Sequence, residues 1–102
     1  MTALAIDQLP DQLHQAKLRH VEAKAQLLTA TNQHDHQRAK SYLDEMATGE
    51  THYKACAKVT TDAKVSSAKL ALDEAELDVL RTKADVDRLH AMLSLATANG
   101  GL

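Results

Sequence analysis

Five apolar residues recur at unbroken seven-residue intervals in the second half of the chain: Val65, Leu72, Val79, Val86 and Leu93. A repeat of seven keeps one stripe of an α-helix facing the same way turn after turn, and it imposes slightly supercoiled packing against another helix. A second set shares the spacing: Ala63, Leu70, Leu77, Ala84 and Ala91, with Leu80 beside it. At about 100° per residue the two sets fall on well-separated faces of one helix. One stripe can pack inside the chain, and the other then requires a second partner. We assign Val65, Leu72, Val79, Val86 and Leu93 to the core of a hairpin. Ala63, Leu70, Leu77, Leu80 and Ala84 become the self-association or partner face.

The side-chain inventory agrees with that reading. The chain has 102 residues, 44% of them hydrophobic, but aromatics are limited to Tyr42 and Tyr53 and there is no Phe or Trp. Alanine and leucine dominate, and small side chains build a thin core. Domains of this size bury a modest share of their surface and are often completed by oligomerisation. With Gly 3 and Pro 1, the profile is that of long helices with few turns. A formal charge of −2 provides no bulk attraction to nucleic acid or to an anionic membrane.

Pro10 suits the first turn of a helix, and Asp11 complements the positive end of its dipole. A first helix is expected over 10–47, behind an N-terminal arm over 1–9. Its apolar strip reads Leu13, Leu18, Val21, Ala25 and Leu28, widened by Ala23 and Leu27. The period lapses in the polar run 29–38, which nevertheless contains no Pro or Gly, so the helix is expected to continue through it. Thr48-Gly49-Glu50-Thr51 is the strong punctuation: Gly49 can take the left-handed conformation that ends a helix, and Thr48 or Thr51 can cap the next. A second helix is expected over 51–96, and 98–102 forms a tail.

Two long helices joined by so short a turn lie antiparallel. The expected fold is therefore all-α: an antiparallel, coiled-coil-like hairpin over 10–97, packed into an oligomeric bundle. A turn at Gly49 sets residue i near residue 97 − i. Lys17, Arg19 and Lys24 then oppose Asp73, Glu74, Glu76 and Asp78, while Asp44 and Glu45 approach Lys54 and Arg38 approaches Asp62. Such exposed pairs are worth at most about 1 kcal/mol each, but together they favour one register.

Chemistry is sparsely represented. His34 and His36 are two apart, which on a helix points them about 200° apart. His14, His20, His52 and His90 supply no histidine pair at the spacing of three or four that a helical metal site needs. No metal or other cofactor is expected. Cys56 is the only cysteine, so no internal disulfide forms, and a small residue packed on a helix accounts for it. No suitably placed base accompanies the thiol, and two long helices offer no concavity for a pocket, so no enzymatic activity is expected. Lys54, Lys58 and Lys69 fall close together on the second helix, with Lys64 to one side, and are the candidates for phosphate contact. A solvated face is the preferred explanation, and direct binding of nucleic acid is not the expectation. The start MTALAIDQLP lacks a basic segment followed by a long apolar run, and no stretch approaches the ~18 apolar residues of a membrane span. The expectation is a cytoplasmic protein with no membrane partner.

The segment Tyr42-Leu43-Asp44-Glu45-Met46-Ala47-Thr48-Gly49-Glu50, followed by Lys54-Ala55-Cys56-Ala57, resembles a class of small alanine-rich helical bacteriophage proteins. In that class a helix ending in Tyr-Leu and a small residue before Gly precedes a Lys-Ala-x-Ala helix. Leu80-Arg81 and Leu89-His90 match its Leu-Arg and Leu-His ending, so the likeness covers about 42–95. The class carries an acid after the Thr of the cap, where this chain has Gly49-Glu50-Thr51. The resemblance implies a phage or prophage origin, a bacterial host cytoplasm and an accessory role beside replication and recombination genes. Joined to the unpartnered stripe, it suggests a self-associating adaptor that meets a phage recombination or replication protein. An inhibitor of a host defence or host enzyme, and a virion assembly scaffold, are the alternatives.

Overall fold

The capping chemistry around Gly49 and Asp62 decides how the chain is divided. The computed structural model describes residues 6–100, and among them every regular element is helical. A 3-10 turn at Ile6–Gln8 leads into α1 (Leu9–Ala47), followed by α2 (His52–Thr61) and α3 (Ala63–Ala98). The fold is an all-α hairpin in which α1 lies antiparallel to the rest. By contact it divides into two compact units, one formed by the chain up to Lys24 with Leu77 onward, the other by Ala25–Glu76. The expected arm over 1–9 is shortened from its inner end, because Leu9 opens α1 and is buried; residues 1–5 lie outside the described part.

α1 runs without interruption through the polar segment 29–38. It ends in a Schellman motif: the amide of Glu50 donates to the carbonyl of Glu45 (3.4 Å), and that of Gly49 donates to Met46 (3.1 Å). Gly49 has φ 87°, the left-handed conformation that this motif asks of its glycine. Thr51 then caps α2, its hydroxyl accepting from the amide of Lys54 at 3.4 Å.

The expected single helix over 51–96 is broken at Asp62. There the backbone leaves helical space (φ −66°, ψ 127°) and the residue ends α2 while starting α3. Its Oδ1 accepts from the amides of Lys64 (2.8 Å) and Val65 (3.3 Å), satisfying two donors that a helix start leaves open. Its Oδ2 accepts from Ser41 Oγ on α1 at 3.1 Å, and Ser41 is the one buried polar residue of the described chain.

Burial reveals a heptad seam on each long helix. On α1 the inward positions are Leu9, Leu13, Ala16, His20, Ala23, Leu27, Ala30, His34, Gln37 and Ser41, alternating steps of four and three. On α3 they are Val65, Ala68, Leu72, Ala75, Val79, Thr82, Val86, Leu89, Leu93 and Ala96, again in steps of three and four. His20 Nδ1 meets Thr82 Oγ1 at 2.8 Å and fixes the register of the first unit. Stepping along both seams from that pair sets Leu13 opposite Leu89, Ala16 opposite Val86 and Ala23 opposite Val79. A small side chain on one helix thus receives a branched one from the other. Leu9, Leu13, Ala16 and Leu89 form the buried cluster of this unit, with Val86, Met92, Leu93 and Ala96 packed against it. In the second unit Ala55 and Val59 supply the buried face of α2, alongside Ala30, Val65 and Leu72.

Two expectations about α1 are therefore corrected. Leu18, Val21 and Leu28 are 50%, 63% and 63% exposed, so the strip built on them faces outward with Ala25. In the first unit the register sum is 102 rather than 97, as His20 opposite Thr82 sets it.

Candidate interaction surface

The α3 seam delivers the expected hairpin core inward. Val65 and Leu72 are buried, and Val79, Val86 and Leu93 are half-buried. The second stripe lies wholly outside: Ala63 and Ala84 are exposed, and Leu70, Leu77 and Leu80 are 67%, 47% and 63% exposed. In heptad terms Leu70, Leu77, Ala84 and Ala91 occupy one column on the back of α3, and Asp73, Leu80 and Asp87 the neighbouring one. Apolar side chains of this size in a regular column, flanked by charges, have the composition of a helix-contact face.

The charges do not sit where the expected pairing put them. Among the described residues the acids of α3 take partners one turn away: Asp73 pairs with Lys69 (3.0 Å), Asp78 with Arg81 (3.2 Å) and Asp85 with Arg88 (3.8 Å). Among the described residues no ion pair joins Lys17, Arg19 or Lys24 to the acids of α3. Near the turn, Glu45 pairs with Lys58 (3.5 Å) and not with Lys54, and Asp62 bonds Ser41 and not Arg38.

The lysine face is likewise dispersed. The break at Asp62 puts Lys54 and Lys58 on α2 and Lys64 and Lys69 on α3. Lys58 is held by Glu50 and Glu45, and Lys69 by Asp73. The hydrogen bond it donates to the Glu50 carboxylate, followed by the charges of Glu50 and Glu45, raises the Lys58 ammonium pKa above its ordinary value. The hydrogen bond donated to the Asp73 carboxylate raises that of Lys69 in the same way. Lys54 and Lys64 remain exposed without an ion pair among the described residues. Two scattered cations make a poor track for a phosphate backbone.

One cluster was not anticipated. His52 and Cys56 are four apart, so α2 stacks them on one face. Cys56 Sγ lies 3.7 Å from His52 Nε2, and His52 Nδ1 lies 2.8 Å from Tyr42 Oη. The imidazole also sits edge-on between two phenol rings, 5.7 Å from Tyr42 and 5.6 Å from Tyr53. The expectation of a thiol with no base near it is thereby corrected, and the spacing His52-x-x-x-Cys56 was the signal for it. In the fold the contact ties α1 to the first turn of α2. An open groove of about 990 Å³ runs past it, walled by Ala39, Val59, Val65 and Leu70. The third helix thus creates concavity that two long helices would lack.

Among the described residues no group of three or more His, Cys, Asp or Glu converges as a metal site, and no helix is long and apolar enough to cross a membrane. No family model, curated protein or solved structure matches the chain.

Proposed function

We propose that this chain is a non-enzymatic helical interaction protein that self-associates through the outer face of α3 and acts as an adaptor. The observation that carries the reading is the exposed stripe of Leu70 and Leu77 in one column with Leu80 in the next, which steps by the same sevens and threes as the buried seam on the same helix. Leaving three leucines in water at seam spacing forgoes burial worth about 1.5–3 kcal/mol for each side chain. A second helix offering the same repeat recovers it. The likeness of 42–95 to small phage accessory proteins suggests the setting: the cytoplasm of a bacterial host, beside a phage recombination or replication protein. With Lys58 and Lys69 engaged by carboxylates, contact with DNA is assigned to the partner and not to this chain.

Sedimentation equilibrium at micromolar concentration tests the association, and a monomer throughout that range would refute it. Fluorescence polarisation with single-stranded and duplex DNA, repeated across salt, tests the adaptor role. No binding by this chain alone is expected. Tight binding with a steep salt dependence would make it a direct DNA-binding protein instead.

A further inference from the structure

We infer that the partner on the outer face of α3 is α3 of a second copy, antiparallel, with a two-fold axis between Leu77 and Leu80. This rests on the self-association proposed above and adds its geometry. α3 is one continuous helix over Ala63–Ala98, so the relative positions of its outward residues follow from helical geometry. Leu70, Leu77, Ala84 and Ala91 form one outer column, and Asp73, Leu80 and Asp87 the other.

In an antiparallel pair each residue of one column packs against a residue of the other, and the flanking positions pair with their own kind across the axis. Leu80 is the only bulky apolar residue in its column, so the best core layer sets Leu77 against Leu80 of the second copy, and the symmetry repeats it. That choice fixes the flanks. Glu74 then meets Arg81 of the second copy, Glu76 meets Lys83, and each contact occurs twice. All four of these side chains are exposed.

The alternatives lose this match. A slip of one heptad one way sets Glu74 and Glu76 against their own copies, and a slip the other way does so for Arg81 and Lys83. A parallel pair stacks Asp73 on Asp73 and Asp87 on Asp87 in the contact itself, whereas the antiparallel register sets Asp73 against Ala84 and Asp87 against Leu70 and brings no two carboxylates together. The outer strip of α1 (Leu18, Val21, Ala25 and Leu28) pairs antiparallel only by setting Glu22 against Glu22 and Lys24 against Lys24. Like charges placed in opposition are what interfaces avoid. Only the α3 arrangement joins its leucines and its charges in one register.

Charge reversal in two complementary chains is the test. Glu74→Lys with Glu76→Lys, and separately Arg81→Glu with Lys83→Glu, each raise the dimer dissociation constant by at least about tenfold, with circular dichroism unchanged. Mixing the two variant proteins restores a heterodimer, because all four contacts again join opposite charges. Spin labels on Ala91→Cys, in a Cys56→Ser background, report orientation. Position 91 falls opposite position 66 of the second copy, so the two labels stand about 38 Å apart at 1.5 Å per residue. A separation near the interaxial distance of about 10 Å would mean a parallel pair and overturn the inference. Variants as dimeric as the parent, or a mixture that stays monomeric, would overturn it too while leaving self-association standing. A parent chain that is itself monomeric would remove both.

Discussion

Asp62 joins three hydrogen bonds in one side chain. Its carboxylate caps α3 through two backbone amides and takes the Ser41 hydroxyl from α1. The Lys64 amide first, then Ser41 and the Val65 amide, hold its pKa below the ordinary 3.8. A folded-state value below the unfolded one means stabilisation that is present above the unfolded pKa and is lost as pH falls through the folded one. Asp62→Asn keeps an accepting oxygen for the cap and an amide for Ser41, so its melting temperature at neutral pH stays close to the parent. Its acid limb below about pH 4 flattens. Asp62→Ala loses cap and tether together and melts lower at every pH. Thermal melts from acid to neutral pH separate the three proteins, and an undiminished acid limb in Asp62→Asn would assign that limb to other carboxylates. His20 illustrates the same economy of donors. Thr82 Oγ1 lies 2.8 Å from His20 Nδ1 across the seam and 2.8 Å from the Asp78 carbonyl of its own helix, so one hydroxyl serves both helices.

At the scale of the element, size matters more than hydrophobicity. The inward column of α1 carries Ala16, Ala23 and Ala30, all buried, while Leu18, Val21 and Leu28 face water. Ala16→Leu forces extra methyl groups against Val86 and costs about 1–3 kcal/mol, whereas Leu18→Ala changes stability by less than about 0.5 kcal/mol. Leu89→Ala removes the centre of the buried cluster and costs about 2–5 kcal/mol. Urea titrations check all three, and equal losses at positions 16 and 18 would contradict the seam. Ala55 is 0% exposed and gives α2 the same intolerance of bulk. These contrasts explain what could be read in advance. The sevenfold repeat of α3 was legible because its inward residues are mostly bulky: Val65, Leu72, Val79, Val86 and Leu93. The seam of α1 was obscured because alanine, histidine and glutamine fill it, and the larger residues beside it imitate a core. The run 29–38 does not interrupt that seam, since Ala30, His34 and Gln37 keep its phase, two of them with polar chains. The break at Asp62 was missed because neither Gly nor Pro marks it. A carboxylate two residues before an amide can end one helix and start another, and Thr60-Thr61-Asp62 offered only a drop in helix propensity.

For the whole molecule the question is whether the two stripes of α3 do different work. Leu77 and Val79 are two residues apart, nearly opposite in direction, and similar in transfer free energy. Val79 lies in the seam facing Ala23, half-buried, whereas Leu77 stands on the outer column. A carboxylate at position 79 is set against the apolar Ala23 in the seam and must either protonate or push the helices apart, at a cost of about 2–4 kcal/mol. For a small domain stabilised by about 5–15 kcal/mol that is a large share. A carboxylate at position 77 remains in water in the single chain and meets its penalty only when a second copy covers it. Val79→Asp therefore lowers helicity and the urea midpoint at every protein concentration. Leu77→Asp keeps both at the dilute limit, but removes the rise in stability with concentration that mass action gives an associating chain. Circular dichroism melts at several concentrations, read beside sedimentation, distinguish the two effects. Equal losses of helicity would mean that both stripes serve one core, and the outer face would then have no claim on a partner.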